Sequence, residues 1–296
     1  MRHIYLITII SFVLSSITIA TEKDWNNVKS WVYQLCNYKH DKLVEIAESD
    51  FDLAVIDLSR DGGNNYFAKQ EIEAVKKSGK IVLAYFEITA IENYRPEWKN
   101  VPNDLKAGSV EGWSKEQYVK FWDERWWPIV KGRIDQALKA GFDGAYLDMI
   151  TTYSEIPKSG IKTEERAYKM VDLIARISKY AKSKNHNFKI VPQNCPELYT
   201  WTYWNPKPNK KYINAIDALG IESVFYIAHD KPANMEWCKE NRDNALAIKK
   251  AGKLIIGVDY AKKPKSIADA YKKQRKIGFV PYVSVEELNL IRKERK

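Results

Sequence analysis

The chain is short of the residues that most enzymes use for metal or nucleophile chemistry. Its 296 residues hold three Cys and four His. Cys36, Cys195 and Cys238 are odd in number, and their spacing fits neither a disulfide framework nor a zinc site. His3, His40, His186 and His229 stand apart from one another. No His-Glu-x-x-His and no Gly-x-Ser-x-Gly elbow occurs, so metalloprotease and serine-hydrolase chemistry lack their carriers. Glycine-rich phosphate loops are missing too. No Gly-x-Gly-x-x-Gly follows the first apolar run, and no P-loop signature occurs anywhere. No compact basic stripe or nucleic-acid motif is present, which argues against a nucleic-acid partner. Acid–base chemistry on carboxylates is what remains, with neither cofactor nor metal expected.

Only one long apolar run exists, at the very start. Arg2 and His3 precede apolar residues 4–14, and Ser15, Ser16 and small residues lead to Ala20. This pattern reads as a secretory signal peptide over 1–20, with Thr18 and Ala20 at the small-residue cleavage positions. The expected mature domain, 21–296, is then secreted or held in the periplasm or cell envelope, with no membrane span after cleavage. The formal charge is +10, from 48 basic and 38 acidic residues. Lysines spread over nearly every helical stretch make this a solvated basic surface.

What is there is a regular alternation. Short apolar runs fall at 31–35, 53–58, 81–86, 144–147, 189–193, 218–222, 254–260 and 279–283. Amphipathic stretches separate them, clearest at 65–78, 116–140, 163–183 and 234–251, with Pro128 predicting a kink or restart. Gly79, Gly141, Gly252 and Gly278 each stand just past such a stretch, where a left-handed helix cap favours glycine. Strands alternating with helices predict a parallel sheet, and eight repeats without a linker predict a single-domain (β/α)8 TIM barrel. A monomer is expected.

In such a barrel the chemistry collects at the carboxyl ends of the strands. Here those ends carry Asp57, Glu87, Asp148, Gln193 with Asn194, Glu222, and Asp259 with Tyr260. Strand alternation predicts that Asp148, Glu222 and Asp259 face inward together with Tyr146, Gly220 and Gly257. Asp148 and Glu222 end the fourth and sixth strands, so they belong to one layer with a single strand between. Glycoside hydrolysis needs two carboxyls roughly 5 to 9.5 Å apart across the bond, which makes this the candidate catalytic pair and a polysaccharide the expected partner. The alternative is a non-catalytic or vestigial carbohydrate-binding barrel. Asp57 has a competing role in a buried ion pair, with Arg60 and Asp61 close by in sequence. A long connection, 87–115, holds Glu92, Tyr94, Arg95, Trp98 and Trp113, suited to stacking on sugar rings.

These residues carry a resemblance. The segments 55–62 (Val-Ile-Asp-Leu-Ser-Arg-Asp-Gly), 84–98 with its Glu-Asn-Tyr-Arg, 141–148 (Gly-Phe-Asp-Gly-Ala-Tyr-Leu-Asp), 192–194 and 220–222 resemble glycoside hydrolase family 114, the endo-α-1,4-polygalactosaminidases. The resemblance implies a TIM barrel that cleaves a galactosamine-containing polysaccharide. It also implies Asp148 as nucleophile and Glu222 as general acid/base. Asp57, Glu87, Tyr94, Gln193, Asn194, Asp259 and Tyr260 are then the expected substrate-binding residues.

Overall fold

The computed structural model describes residues 25–157, 159–200, 209–228 and 230–294. The expected signal segment 1–20 lies outside the described residues. Eight parallel strands form the frame: β1 (Trp31–Gln34), β2 (Leu53–Asp57), β3 (Ile81–Glu87), β4 (Gly144–Asp148), β5 (Lys189–Pro192), β6 (Ala218–Glu222), β7 (Leu254–Tyr260) and β8 (Val280–Ser284). Every residue of β2, β3 and β8 is buried, as expected for parallel strands covered on both faces.

Strands β1 to β5 pair in chain order, and β6, β7 and β8 form a second run. The runs join through the parallel bridge between Gln193 and Gly220, with Asn194 N donating to Gly220 O at 2.8 Å. At the other seam the Trp31 indole donates to Val280 O at 3.0 Å, and its ring lies 5.7 Å from that of Tyr282. The result is the predicted (β/α)8 barrel.

The helices between the strands include α1 (Val44–Ala47), α2 (Lys69–Lys77), α3 (Trp127–Ala140), α4 (Thr163–Lys184), α5 (Lys210–Ala215), α6 (Glu236–Lys250) and α7 (Pro264–Lys276). Gly141, past α3, has φ 86°, so the expected left-handed cap is realised there. Two expectations need correction. The helix restarts at Pro128 as expected, in the first turn of α3 where its missing N–H costs nothing, but the part before it is not helical, and Glu116 belongs to a strand. Among the described residues no helix follows β8. Instead the chain returns from Leu288, whose carbonyl accepts from Leu35 N at 2.8 Å, to Glu294, which pairs with Arg275. Grooves of about 730 and 790 Å³ flank this returning segment, and neither is lined by Asp148 or Glu222.

The long connection after β3 folds on itself. Strands Ala90–Glu92 and Lys106–Val110 pair antiparallel with the central Trp113–Val119. Ala90, Ala107, Val110, Tyr118 and Ile156 give this small sheet a core of its own.

Candidate active site

Inward positions of the barrel are unusually aromatic. Trp31 stacks on Tyr33 at 5.6 Å, and Tyr33 lies 5.3 Å from Tyr146 and 6.1 Å from Tyr85. These rings fill the barrel and form a rigid floor. Gly220 makes room for it: a Cβ there would stand 2.1 Å from the Tyr146 hydroxyl. Tyr146 therefore reaches across to Gly220. Two residues further along each strand, on the same inward faces, come Asp148 and Glu222.

Both carboxyls are held by donors. Asp148 Oδ2 accepts from the Tyr85 hydroxyl at 2.5 Å, and Oδ1 from its neighbour's N–H, Met149 N, at 2.6 Å. Met149 has φ 63°, a left-handed backbone that aims this amide at the carboxyl. Glu222 Oε2 accepts from Asn194 Nδ2 at 3.0 Å, Asn194 Oδ1 accepts from Glu222 N at 3.0 Å, and Tyr260 OH donates to Glu222 Oε1. Asn194 makes both bonds from a left-handed backbone, φ 64°. The two acids sense one another. Burial, and then the charge of Glu222, push Asp148 up to about 7, against the opposing hydrogen bonds from Tyr85 and Met149. Asp148 is therefore partly protonated near neutrality.

A second acidic group surrounds Arg95. Its Nη1 and Nη2 donate to the two oxygens of Asp57 at 3.0 and 2.9 Å, while Nε and Nη2 donate to Glu92 at 2.9 Å each. Burial alone would raise Glu92, but the charge and hydrogen bonds of Arg95 outweigh it and hold Glu92 at about 2. Glu87 is 3% exposed, and burial, with the charges of Glu92 and Glu116, lifts it well above the usual carboxylate range. Glu87 shares a hydrogen bond with Glu92, which helps to hold Glu92 low. Glu116 faces the same group from the central strand of the small sheet.

Asp148 is hydrogen-bonded to Tyr85, and Glu222 to Asn194 and Tyr260, two units linked by the charges of the acids. Gln193 lies in the floor, accepting from Tyr33 OH at 3.0 Å. Asp57 is the buried ion-pair partner foreseen as its competing role, but its partner is Arg95; Arg60 pairs with Glu71 at 2.8 Å instead. Tyr94 stands half exposed at the rim, its ring against Gly62 and its hydroxyl donating to Glu92 Oε1 at 2.9 Å. Asp259 is the correction. Its register puts Val258, not Asp259, level with Glu222. Asp259 therefore points to the helical layer. There it accepts from Phe225 N at 2.7 Å, Tyr226 N at 2.8 Å and Gln274 Nε2 at 2.8 Å, with no exposure to solvent. Tyr260 takes the inward place. Tyr146 faces inward as alternation predicts; Tyr85, Arg95 and Glu116 were not picked out as site residues, although Tyr85 stands two residues before Glu87 and could have been found by the same alternation.

Two inward acids at the carboxyl end of a closed eight-stranded barrel, each held by donors, are an arrangement that barrel glycosidases use. Residues 15–295 match glycoside hydrolase family GH114, and the chain belongs to that family. A protein of Methanocaldococcus jannaschii is 33% identical over 283 residues, covering 90% of this chain and 79% of that one. A protein of Thermotoga maritima is 28% identical over 307 residues, covering 98% and 92%. Among solved structures, Aspergillus fumigatus Ega3 in complex with galactosamine superposes with a TM-score of 0.70 at 15% identity, covering 92% of this chain and 98% of that one. The glycoside hydrolase domain of Pseudomonas aeruginosa PelA gives 0.69 at 15% identity, covering 89% and 97%. These two likenesses support the fold.

Proposed function

We propose that this glycosidase hydrolyses an amino-sugar polysaccharide containing galactosamine, with Asp148 as nucleophile and Glu222 as general acid/base. The observation that carries the reading is the Asp148–Glu222 pair, electrostatically linked and fixed by Tyr85, Met149 N, Asn194 and Tyr260. The substrate class is supported by the further acids beside the pair, Glu92 and Glu116, which attract a cationic chain even on a protein of net positive charge. It is also supported by the likeness to a structure solved with galactosamine.

In this mechanism Glu222 protonates the departing glycosidic oxygen while ionised Asp148 attacks the anomeric carbon, forming a glycosyl ester. Glu222 then removes a proton from water, which displaces Asp148 with net retention. The donors on Asp148 favour its ionised form, and a substrate ammonium arriving nearby would favour it further. The elevated Asp148 favours a second reading, with the two roles exchanged. Trapping with azide separates them: the variant lacking the nucleophile yields a glycosyl azide of inverted configuration, and the variant lacking the acid/base one of retained configuration.

The substrate claim is tested by reducing-end release from deacetylated and N-acetylated galactosamine polymers. Hydrolysis of either supports it, and release from neutral hexose polymers alone contradicts it. We further propose that residues 1–20 direct secretion. The amino-terminal sequence of the exported protein checks this, an intact Met1 being the contrary result.

A further inference from the structure

We propose that Glu116 receives the ammonium group of a deacetylated hexosamine unit lying in the cleft beside Asp148, and so sets a preference for free over N-acetylated amino sugar. This rests on the function proposed above and assigns a specificity residue within it.

Glu116 is brought to the site by the sheet that the long connection builds. It stands directly opposite Glu92 in the antiparallel pair, so both carboxyls project from one face. Tyr118, two residues on and therefore on that face, donates to Glu155 Oε2 at 3.0 Å and ties this edge of the small sheet to the segment following β4. Glu116 is only 6% exposed, yet its Oε1 has no hydrogen-bond partner. The charges around it are Glu92, Asp148 and Glu155, with Arg95 the nearby cation.

Arg95 is already committed, its guanidinium donating two bonds to Asp57 and two to Glu92. Arg133 donates to Glu87 O and pairs with Glu97, its Nη2 left without a partner, and it is not among the charges acting on Glu116. Among the described residues no ion pair reaches Glu116, Asp148 or Glu222. Burial, with the charges of Glu92 and Asp148, accordingly pushes Glu116 up to about 8. An acid in this position binds either a proton or an incoming cation.

The cation fits a substrate amine better than a metal. Among the described residues no group of three or more His, Cys, Asp or Glu is placed to hold a metal ion. An ammonium offers three donors and a full charge to an orphaned carboxylate oxygen, and charge-assisted hydrogen bonds are about twice as strong as neutral ones. An acetamide offers one neutral N–H and brings a methyl group that a buried carboxyl does not welcome.

The test compares kcat/KM for fully deacetylated and fully N-acetylated α-1,4-galactosamine oligomers in the parent, Glu116→Gln and Glu116→Asp. The parent is expected to prefer the deacetylated oligomer. Glu116→Gln should collapse that ratio by about ten- to a hundred-fold, mostly through KM, and Glu116→Asp should recover part of it. An unchanged ratio, an equal fall on both oligomers, or a parent preference for the acetylated oligomer overturns the proposal. Should the parent cleave neither oligomer, the proposed function fails, and binding decides the role of Glu116 separately. Galactosamine and N-acetylgalactosamine are then titrated into the parent and Glu116→Gln and followed by chemical shifts. Tighter binding of galactosamine that is lost in the variant upholds the role, and equal binding refutes it.

Discussion

Replacing Tyr85 by Phe removes one oxygen and leaves the barrel floor otherwise intact. That oxygen donates to Asp148 Oδ2 at 2.5 Å and favours the ionised carboxylate. A hydrogen bond to a charged group contributes about 1.5–3 kcal/mol, and one pKa unit is about 1.4 kcal/mol. The loss should therefore raise Asp148 from about 7 by roughly one to two further units. If ionised Asp148 is the nucleophile, the acidic limb of the kcat/KM profile moves to higher pH by that amount. Activity at pH 7 falls about five- to fifty-fold and recovers in alkali. The assay is kcat/KM against pH for parent and Tyr85→Phe, with thermal unfolding as a control for folding. A shift of the alkaline limb would instead mark Asp148 as the acid. An unmoved profile would refute the argument that Tyr85 tunes the catalytic pair.

Other expectations concern stability. Asp259→Ala orphans two backbone N–H groups and Gln274, and should cost about 2–3 kcal/mol in urea unfolding while lowering kcat/KM less than ten-fold. A loss of activity as deep as that of Asp148→Asn would show that Asp259 serves the chemistry after all. Arg95→Ala leaves Asp57 and Glu92 buried without their cation and should cost about 3–5 kcal/mol; a cost below about 1 kcal/mol would contradict the buried network. The raised acids also set a pH dependence. Asp259 at about 6, Asp148 at about 7 and Glu116 at about 8 bind protons in the folded state that the unfolded chain has already released. Stability therefore falls as pH rises through the window from about 4 to 8, and the melting temperature should be higher at pH 5 than at pH 8. Glu116→Gln should flatten that slope, and a melting temperature rising across the window would reverse the sign of the argument.

Much of the frame was legible because parallel strands buried on both faces read as unbroken apolar runs closed by polar residues. The same property hid Asp259. Residues 254–260 are buried almost throughout, so no hydrophobic alternation says which parity faces inward, and Gly257 adjoins Gln274 on the helical side rather than the barrel interior. Glu116 was hidden by distance. Its strand exists because it pairs with Ala90–Glu92, more than twenty residues earlier, and local periodicity blends it into the following helix. The partner of Asp57 was hidden in the same way, since Arg60 and Asp61 are near in sequence while Arg95 is near only in the fold. The segment after β8 lacks a helical pattern, and eightfold symmetry alone suggested one.

The central claim is that Asp148 and Glu222 break the bond. Its most direct measurement is turnover of a galactosamine oligomer by Asp148→Asn and Glu222→Gln, each checked for an unchanged melting profile. Both should lose activity by about three or more orders of magnitude, with azide restoring turnover once either side chain is cut back to Ala. Near-parental turnover by either amide variant on an oligomer that the parent cleaves would contradict the assignment.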